Sequence, residues 1–363
     1  MKNHLTQFLT WAAARGITTP LELVASRIDS PSRFMALPDS KKDEILSEAR
    51  SSSDQPVDLL RVPLDACIVS DTSHGLAQKL SFEKERGQDS EFADWINILP
   101  SLSDFHMLPR FWDPDRRYFV KKYDGGQLES RLRFDQVRLD QTEDQWALAC
   151  VDSRCNVLPG SKVCLAPMLD MFNHDSTVTT SARVVEEASC LLLSISPQSL
   201  LASSSKAMHN QNQGEICISY GDLTNLETLY NYGFVAASNE CNVETFYVGL
   251  LGQKPLPFVV DSAGSIDNIF NQASFSTLFL NIATTFAVES SSHMPRISKR
   301  DEMEAYAFIC GELEEASYQS KCGTKEAEER KDALVATYLS ERSITLDAAT
   351  ARLRQKFPEL FSL

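Results

Sequence analysis

Hydrophobic and polar positions alternate along this chain with two periods, near 2 and near 3.6, so short strands and helices are both expected. Residues 4–15 read as an amphipathic helix with Leu5, Phe8, Leu9 and Trp11 toward the core. Turn signals at Pro31-Ser32 and Pro38-Asp39-Ser40 follow. Residues 41–50 read as a solvated helix, and 51–56 as a loop. The stretch 59–69 reads as a strand bent at Pro63. Residues 75–100 give a helix, an acidic loop and a second helix around Phe92, Trp95 and Ile96. Thr142 and Asp144 open a further helix that ends at Ser153-Arg154. A strand over 162–168 follows, then an antiparallel pair over 182–186 and 190–196.

Residues 197–214 are rich in Ser, Gln and Asn and are expected as a surface loop. The next stretch alternates: Ile216, Ile218 and Tyr220 share one face, and Glu215, Cys217 and Ser219 share the other, as in a half-buried strand. Gly221-Asp222 breaks it. Thr224 with Glu227 makes a capping box, so a helix of about two turns follows, and Gly233 suits its left-handed end. Phe246, Val248 and Leu250 alternate within 243–262, which reads as short strands. Helices are expected over 278–282, 301–319, 325–340 and 346–357. The class is therefore α+β, and no internal repeat is visible. The expected division is a first domain over 1–235, with a helical insertion over 75–150, and a mostly helical domain over 236–363.

Composition narrows the function classes. The 363 residues are 43% hydrophobic and 23% charged, enough for a sizeable core. With 35 basic and 50 acidic residues the formal charge is −15, which disfavours nucleic acid and anionic membranes as partners; it reads first as keeping the protein soluble and second as suiting a basic segment of another protein. One patch runs against this trend: Arg116, Arg117, Lys121, Lys122, Arg131, Arg133 and Arg138 interleave with Tyr118, Phe119, Tyr123 and Phe134. It reads as an exposed helix with snorkelling stems rather than a nucleic-acid surface. The nine cysteines lack metal-ligand spacing, so no zinc site is expected, and Cys67, Cys150, Cys164, Cys217 and Cys310 read as reduced core thiols. A cytoplasmic or nuclear protein fits, without a membrane span or signal peptide. A plastid address would need a transit peptide ahead of Met1. A monomer is expected.

Two stretches carry chemistry. Asp170-Met-Phe-Asn173-His174 follows an apolar segment that does not need polar side chains, and Tyr220-Gly-Asp-Leu-Thr-Asn225 is followed by Tyr232-Gly-Phe-Val235. In this order they resemble the C-terminal half of a SET domain, of the group typified by Rubisco large-subunit lysine methyltransferase. Trp11 with Gly16, and Leu60 through Pro63, resemble that group's opening helix and a following strand. The resemblance implies a pseudoknot in which the Asn-His segment passes beneath the Tyr-Gly segment, and a helical C-terminal substrate-binding lobe. It implies S-adenosylmethionine as cofactor and a protein substrate carrying a target lysine. It implies cofactor contacts from Asn173, His174, Asp170 and Arg154, the last toward the cofactor carboxylate, for which a guanidinium is suited. It implies Tyr232 as the main catalytic tyrosine and Tyr220 as a second channel wall.

The residues allow other readings. Asn173-His174-Asp175 is a good turn sequence, and Asp170, His174 and Asp175 form an incidental metal set that lacks a further ligand at suitable spacing. The chain also departs from the resembled pattern. Where that group has a Gly-x-Gly segment near the cofactor, this chain carries Ser32-Arg-Phe-Met-Ala36, with no glycine between Gly16 and Gly75. A non-catalytic SET-like binding protein is therefore the alternative, and a protein-histidine methyltransferase a third.

Overall fold

The computed structural model describes residues 2–25, 33–51, 55–140, 144–206, 214–248, 256–264 and 299–358. The expected helix over 278–282 lies outside them. These residues form two compact units, one of residues 1–106 and 136–222 and the other of 107–135 and 223–363.

The first unit is built from short antiparallel strands. Strands β1 (Glu22–Ala25) and β2 (Arg33–Ala36) form a hairpin with Leu23 opposite Met35. Strands β3 (Val57–Pro63), β7 (Thr180–Val185) and β8 (Cys190–Ile195) form a sheet in the order β3-β8-β7. Its central strand β8 is buried throughout, which its near-continuous apolar run anticipates. A third sheet has the order β4-β6-β5, from Ile68–Ser70, Val163–Leu165 and Cys155–Val157. The expected strand over 59–69 is thus two strands, parted by a single turn at Leu64–Ala66 that follows Pro63. Helix Lys2–Ala14 buries Phe8 fully, but Leu9 stays 39% exposed, contrary to its expected place toward the core. Helix Lys42–Ser51 is solvated on one side only, since Ile45, Leu46 and Ala49 are buried.

One expectation fails outright in this unit. The first half of the expected loop is the helix Pro197–Lys206, with Leu200 fully buried. Proline at its first position costs no hydrogen bond there, and the Ser196 hydroxyl accepts the Ser199 N–H at 3.1 Å. A polar composition hid a capped helix.

Helix Pro114–Tyr123 in the second unit and helix Gln127–Asp140, which belongs to that unit as far as Asp135, carry the basic–aromatic patch. Its aromatics divide by side: Phe119 and Tyr123 are buried in an apolar cluster with Leu229, Tyr230 and Tyr338, while Tyr118 and Phe134 are 71% and 78% exposed. Two long helices, Lys299–Glu329 and Ala333–Lys356, replace the three expected over 301–357, with the break at Asp332, whose side chain caps the second. Strands β9 (Val243–Val248) and β10 (Leu256–Asp261) pair antiparallel, and Phe246, Phe258 and Val260 bury against Ile309, Leu313 and Leu346.

Candidate functional site

The two sequence motifs of the first unit meet through their backbones. The Ile218 N–H donates to the Asn173 carbonyl at 2.8 Å, and the Asp175 N–H donates to the Ile218 carbonyl at 3.0 Å, so His174 and Ile218 form a parallel bridge. On its other side the same stretch is tied to the β2 end. The Ile216 N–H donates to the Met35 carbonyl at 2.8 Å, and the Leu37 N–H to the Gly214 carbonyl at 2.9 Å. The expected strand over 215–220 is therefore a connector with isolated bridges at Glu215, to Ala36, and at Ile218, to His174. Its alternation survives as burial, with Ile216 and Ile218 buried and Glu215 and Cys217 half-buried.

Side chains lock this crossing. The Tyr220 N–H donates to His174 Nδ1 at 3.1 Å, and the Tyr220 hydroxyl donates to the Phe172 carbonyl at 2.5 Å. The two rings lie 5.0 Å apart. An accepting Nδ1 requires a neutral imidazole with its proton on Nε2. Burial lowers the His174 pKa and favours that form, against the opposing effects of the Ile218 backbone and Asp175. Asn173 is exposed, and its amide donates to the Glu215 carboxylate at 2.6 Å.

Asp170 and Arg154 belong to a neighbouring cluster. Met168 enters the short turn Leu169–Met171 with φ 65°, a value non-glycine residues rarely adopt, and this aims Asp170 inward. The Trp95 indole N–H donates to Asp170 Oδ2 at 3.3 Å. Asp170 Oδ1 is buried with no hydrogen-bond partner among the described residues, and so is Arg154 Nε. Arg154 lies over the Phe105 ring at 5.7 Å, and its Nη1 donates to the Ser153 hydroxyl at 2.5 Å. Burial pushes the Asp170 carboxyl up to about 6, against the pull of Arg154 and of the Trp95 N–H.

Three members of this region escape sequence reasoning. Trp95 reads as core, and it is fully buried, but its polar edge serves Asp170. Phe105 gives no local signal, and Arg33 lies in the stretch that stands in place of the glycine-rich segment without itself being singled out. Arg33 donates to the Ile98 carbonyl and sits within electrostatic reach of Asp170 and Arg154.

Tyr232 belongs to the second unit. It ends the helix Asn225–Tyr232, which Thr224 and Glu227 open with the expected capping box and Gly233 closes at φ 76°. Tyr232 is half-buried, its ring 6.0 Å from that of Phe234. The cavities of about 620 Å³ beside Trp146 and about 460 Å³ beside Arg61 and Arg183 are lined by none of the motif residues. Among the described residues no helix is long and apolar enough to cross a membrane, and no group of His, Cys, Asp and Glu is arranged to hold a metal ion.

No protein-family profile and no curated protein matches the chain. Solved structures do. The SET domain of LSMT bound to lysine and AdoHcy matches 100% of this chain and 93% of its own, with a TM-score of 0.60 and 16% identity. Rubisco LSMT bound to AdoMet matches over 99% and 93%, with a TM-score of 0.56 and 16% identity. The same protein bound to sinefungin and monomethyllysine gives 99% and 93%, 0.55 and 15%. The chain is thus an α+β protein with the SET-domain fold of Rubisco LSMT.

Proposed function

We propose that the protein is an S-adenosylmethionine-dependent protein-lysine N-methyltransferase acting on a non-histone protein. The observation that carries this reading is the crossing of the two motif segments, with His174 and Ile218 bridged and Tyr220 hydrogen-bonded to both His174 and Phe172. The matched structures are bound to lysine and AdoHcy, to AdoMet, or to sinefungin and monomethyllysine.

The residues also fit the cofactor. Among the described residues one buried donor, Arg154 Nε, and one buried acceptor, Asp170 Oδ1, have no hydrogen-bond partner, as is also true of Arg117 Nε, Ser203 Oγ, Tyr338 Oη and Arg342 Nε elsewhere. In proteins generally, most buried polar atoms are satisfied. A carboxylate beside Arg154 and an ammonium beside Asp170 would satisfy both, which is what the amino-acid end of S-adenosylmethionine presents. Asn173 and the His174 peptide would hold the rest. When bound, the sulfonium supplies the methyl group.

Methyl transfer to an amine needs an in-line approach and an unprotonated nitrogen. A lysine with a reference pKa of about 10.4 loses its proton in a dry, narrow surrounding. Tyr232 is assigned the positioning of that amine through its hydroxyl, and Tyr220 the wall held by Phe172. Labelling tests this. With a tritiated methyl donor, the wild type should label a protein in a cell extract, and Tyr232→Phe should lower the rate at least about a hundredfold while leaving the fold intact. No label in any extract, from a folded sample, overturns the reading. Peptide mass spectrometry then tells methyl-lysine from methyl-histidine.

A second reading, a binding protein without catalysis, is favoured by one feature. The β2 segment that stands in place of a glycine-rich one is packed with Phe34 and Met35, 4% and 0% exposed. Absence of S-adenosylmethionine binding in calorimetry would select it.

A further inference from the structure

The cluster around Asp170 brings two guanidiniums, Arg154 and Arg33, to one buried carboxyl. A further carboxylate, Asp104, acts on Arg33 more weakly than Asp170 does. Asp104 is held by the Ser101 N–H and hydroxyl at 2.7 Å each and keeps its charge. The walls are apolar: Trp95 is fully buried and Phe105 is 6% exposed. Arg33 and Arg154 are half-buried, Arg154 Nε has no hydrogen-bond partner among the described residues, and guanidinium donors beside apolar walls suit a carboxylate.

Arg33 is anchored for that role. Strand β2 fixes its backbone opposite Ala25, and its Nη1 donates to the Ile98 carbonyl, three residues beyond Trp95. One edge of the guanidinium is so held, and a guanidinium has five N–H donors, so others remain to be offered. Burial lowers the Arg33 pKa, but an arginine stays charged across the working range.

We infer that Arg33 is a second carboxylate-binding residue of the donor end, gripping with Arg154 the carboxylate of a ligand whose ammonium meets Asp170 Oδ1. The ligand class is an α-amino-acid zwitterion, and the inference rests on the proposed S-adenosylmethionine site. A residue that supplies a charge-assisted hydrogen bond should matter only for ligands that carry the carboxylate.

Calorimetry with two probes decides it: S-adenosylhomocysteine, and its decarboxylated analogue, which keeps the adenosine, sulfur and amine. Arg33→Gln keeps most of the stem, and Arg33→Lys keeps the charge. The expected result is that Arg33→Gln weakens S-adenosylhomocysteine binding about tenfold or more, leaves the analogue unchanged within about twofold, and that Arg33→Lys recovers part of the loss. Unchanged affinity for S-adenosylhomocysteine, or an equal loss for both probes, overturns it. A gain for both would mean that the side chain fills the donor end instead. If the wild type, folded by its urea midpoint, binds neither probe, the cofactor reading fails and this inference with it. An effect of Arg33→Gln on neither probe in a wild type that binds both fails the inference alone.

Discussion

Asp124 and Asp170 are two aspartates in one electrostatic condition and two different settings. Burial pushes each carboxyl up to about 6. Asp124 is fully buried in the second unit, and both of its oxygens accept backbone N–H groups, from Gly126 at 2.7 Å and Leu128 at 2.9 Å. It is a turn-and-cap residue with its acceptors used. Asp170 keeps one oxygen without a partner among the described residues, which is why it reads as part of a site and Asp124 does not. For Asp124 the sign is definite. Its folded pKa lies above the ordinary 3.8, so between about pH 4 and pH 6 the folded chain retains a proton that the unfolded chain has lost. Stability from this residue is full below that window and falls as pH rises through it, by about 3 kcal/mol in all. Other carboxylates slope the opposite way, so the readout is a difference. Urea unfolding of Asp124→Asn against the wild type should move in favour of the variant by up to about 3 kcal/mol from pH 4 to pH 7. A difference that does not change with pH would show that the carboxyl is not titrating in this range.

Elements show where local chemistry suffices. The helix Asn225–Tyr232 was legible in full because its signals lie within it: Thr224 and Glu227 close the box, and Gly233 accepts a left-handed φ. The closing glycine has a second reason to be there. A Cβ on it would stand 2.7 Å from the Met107 Cβ and 3.1 Å from the Met107 backbone carbon. Gly233→Ala should therefore cost about 2–4 kcal/mol in urea unfolding, from the left-handed backbone and the overlap together, against about 1 kcal/mol for Thr224→Ala. A smaller loss for Gly233→Ala than for Thr224→Ala would contradict this packing. The site was less legible. The motif order pointed to Asn173, His174 and Tyr220, and the alternation gave the burial of Ile216 and Ile218. Nothing local could supply Trp95 as a neighbour of Asp170, because the two are far apart in the chain; the resemblance put the 32–36 stretch near the cofactor but gave Arg33 no role. Helix Pro197–Lys206 was missed because its serines suit a loop as well as a cap, and burial of Leu200 decided between them.

On the scale of the whole molecule, the acidic balance is the property most directly tied to a substrate. A formal charge of −15 sets up a negative field that favours approach of a positively charged segment, and the proposed substrate residue is a lysine. The reaction itself transfers a methyl group to a neutral amine in a dry surrounding, so salt in the solvent should leave that step largely alone. The two effects separate in kinetics. As ionic strength rises from about 0.01 M to about 0.15 M the Debye length shrinks from about 30 Å to about 8 Å, and surface attraction is screened. With a methylated protein target in hand, KM should rise several-fold over that range while kcat holds within about twofold. A short neutral peptide bearing the same lysine should show little change in KM, because it lacks the charge on which the field acts. If KM for the protein target stays constant, the acidity serves solubility and recognition depends on contacts at the lysine. If kcat falls with salt instead, the charge acts on the bound state rather than on recruitment.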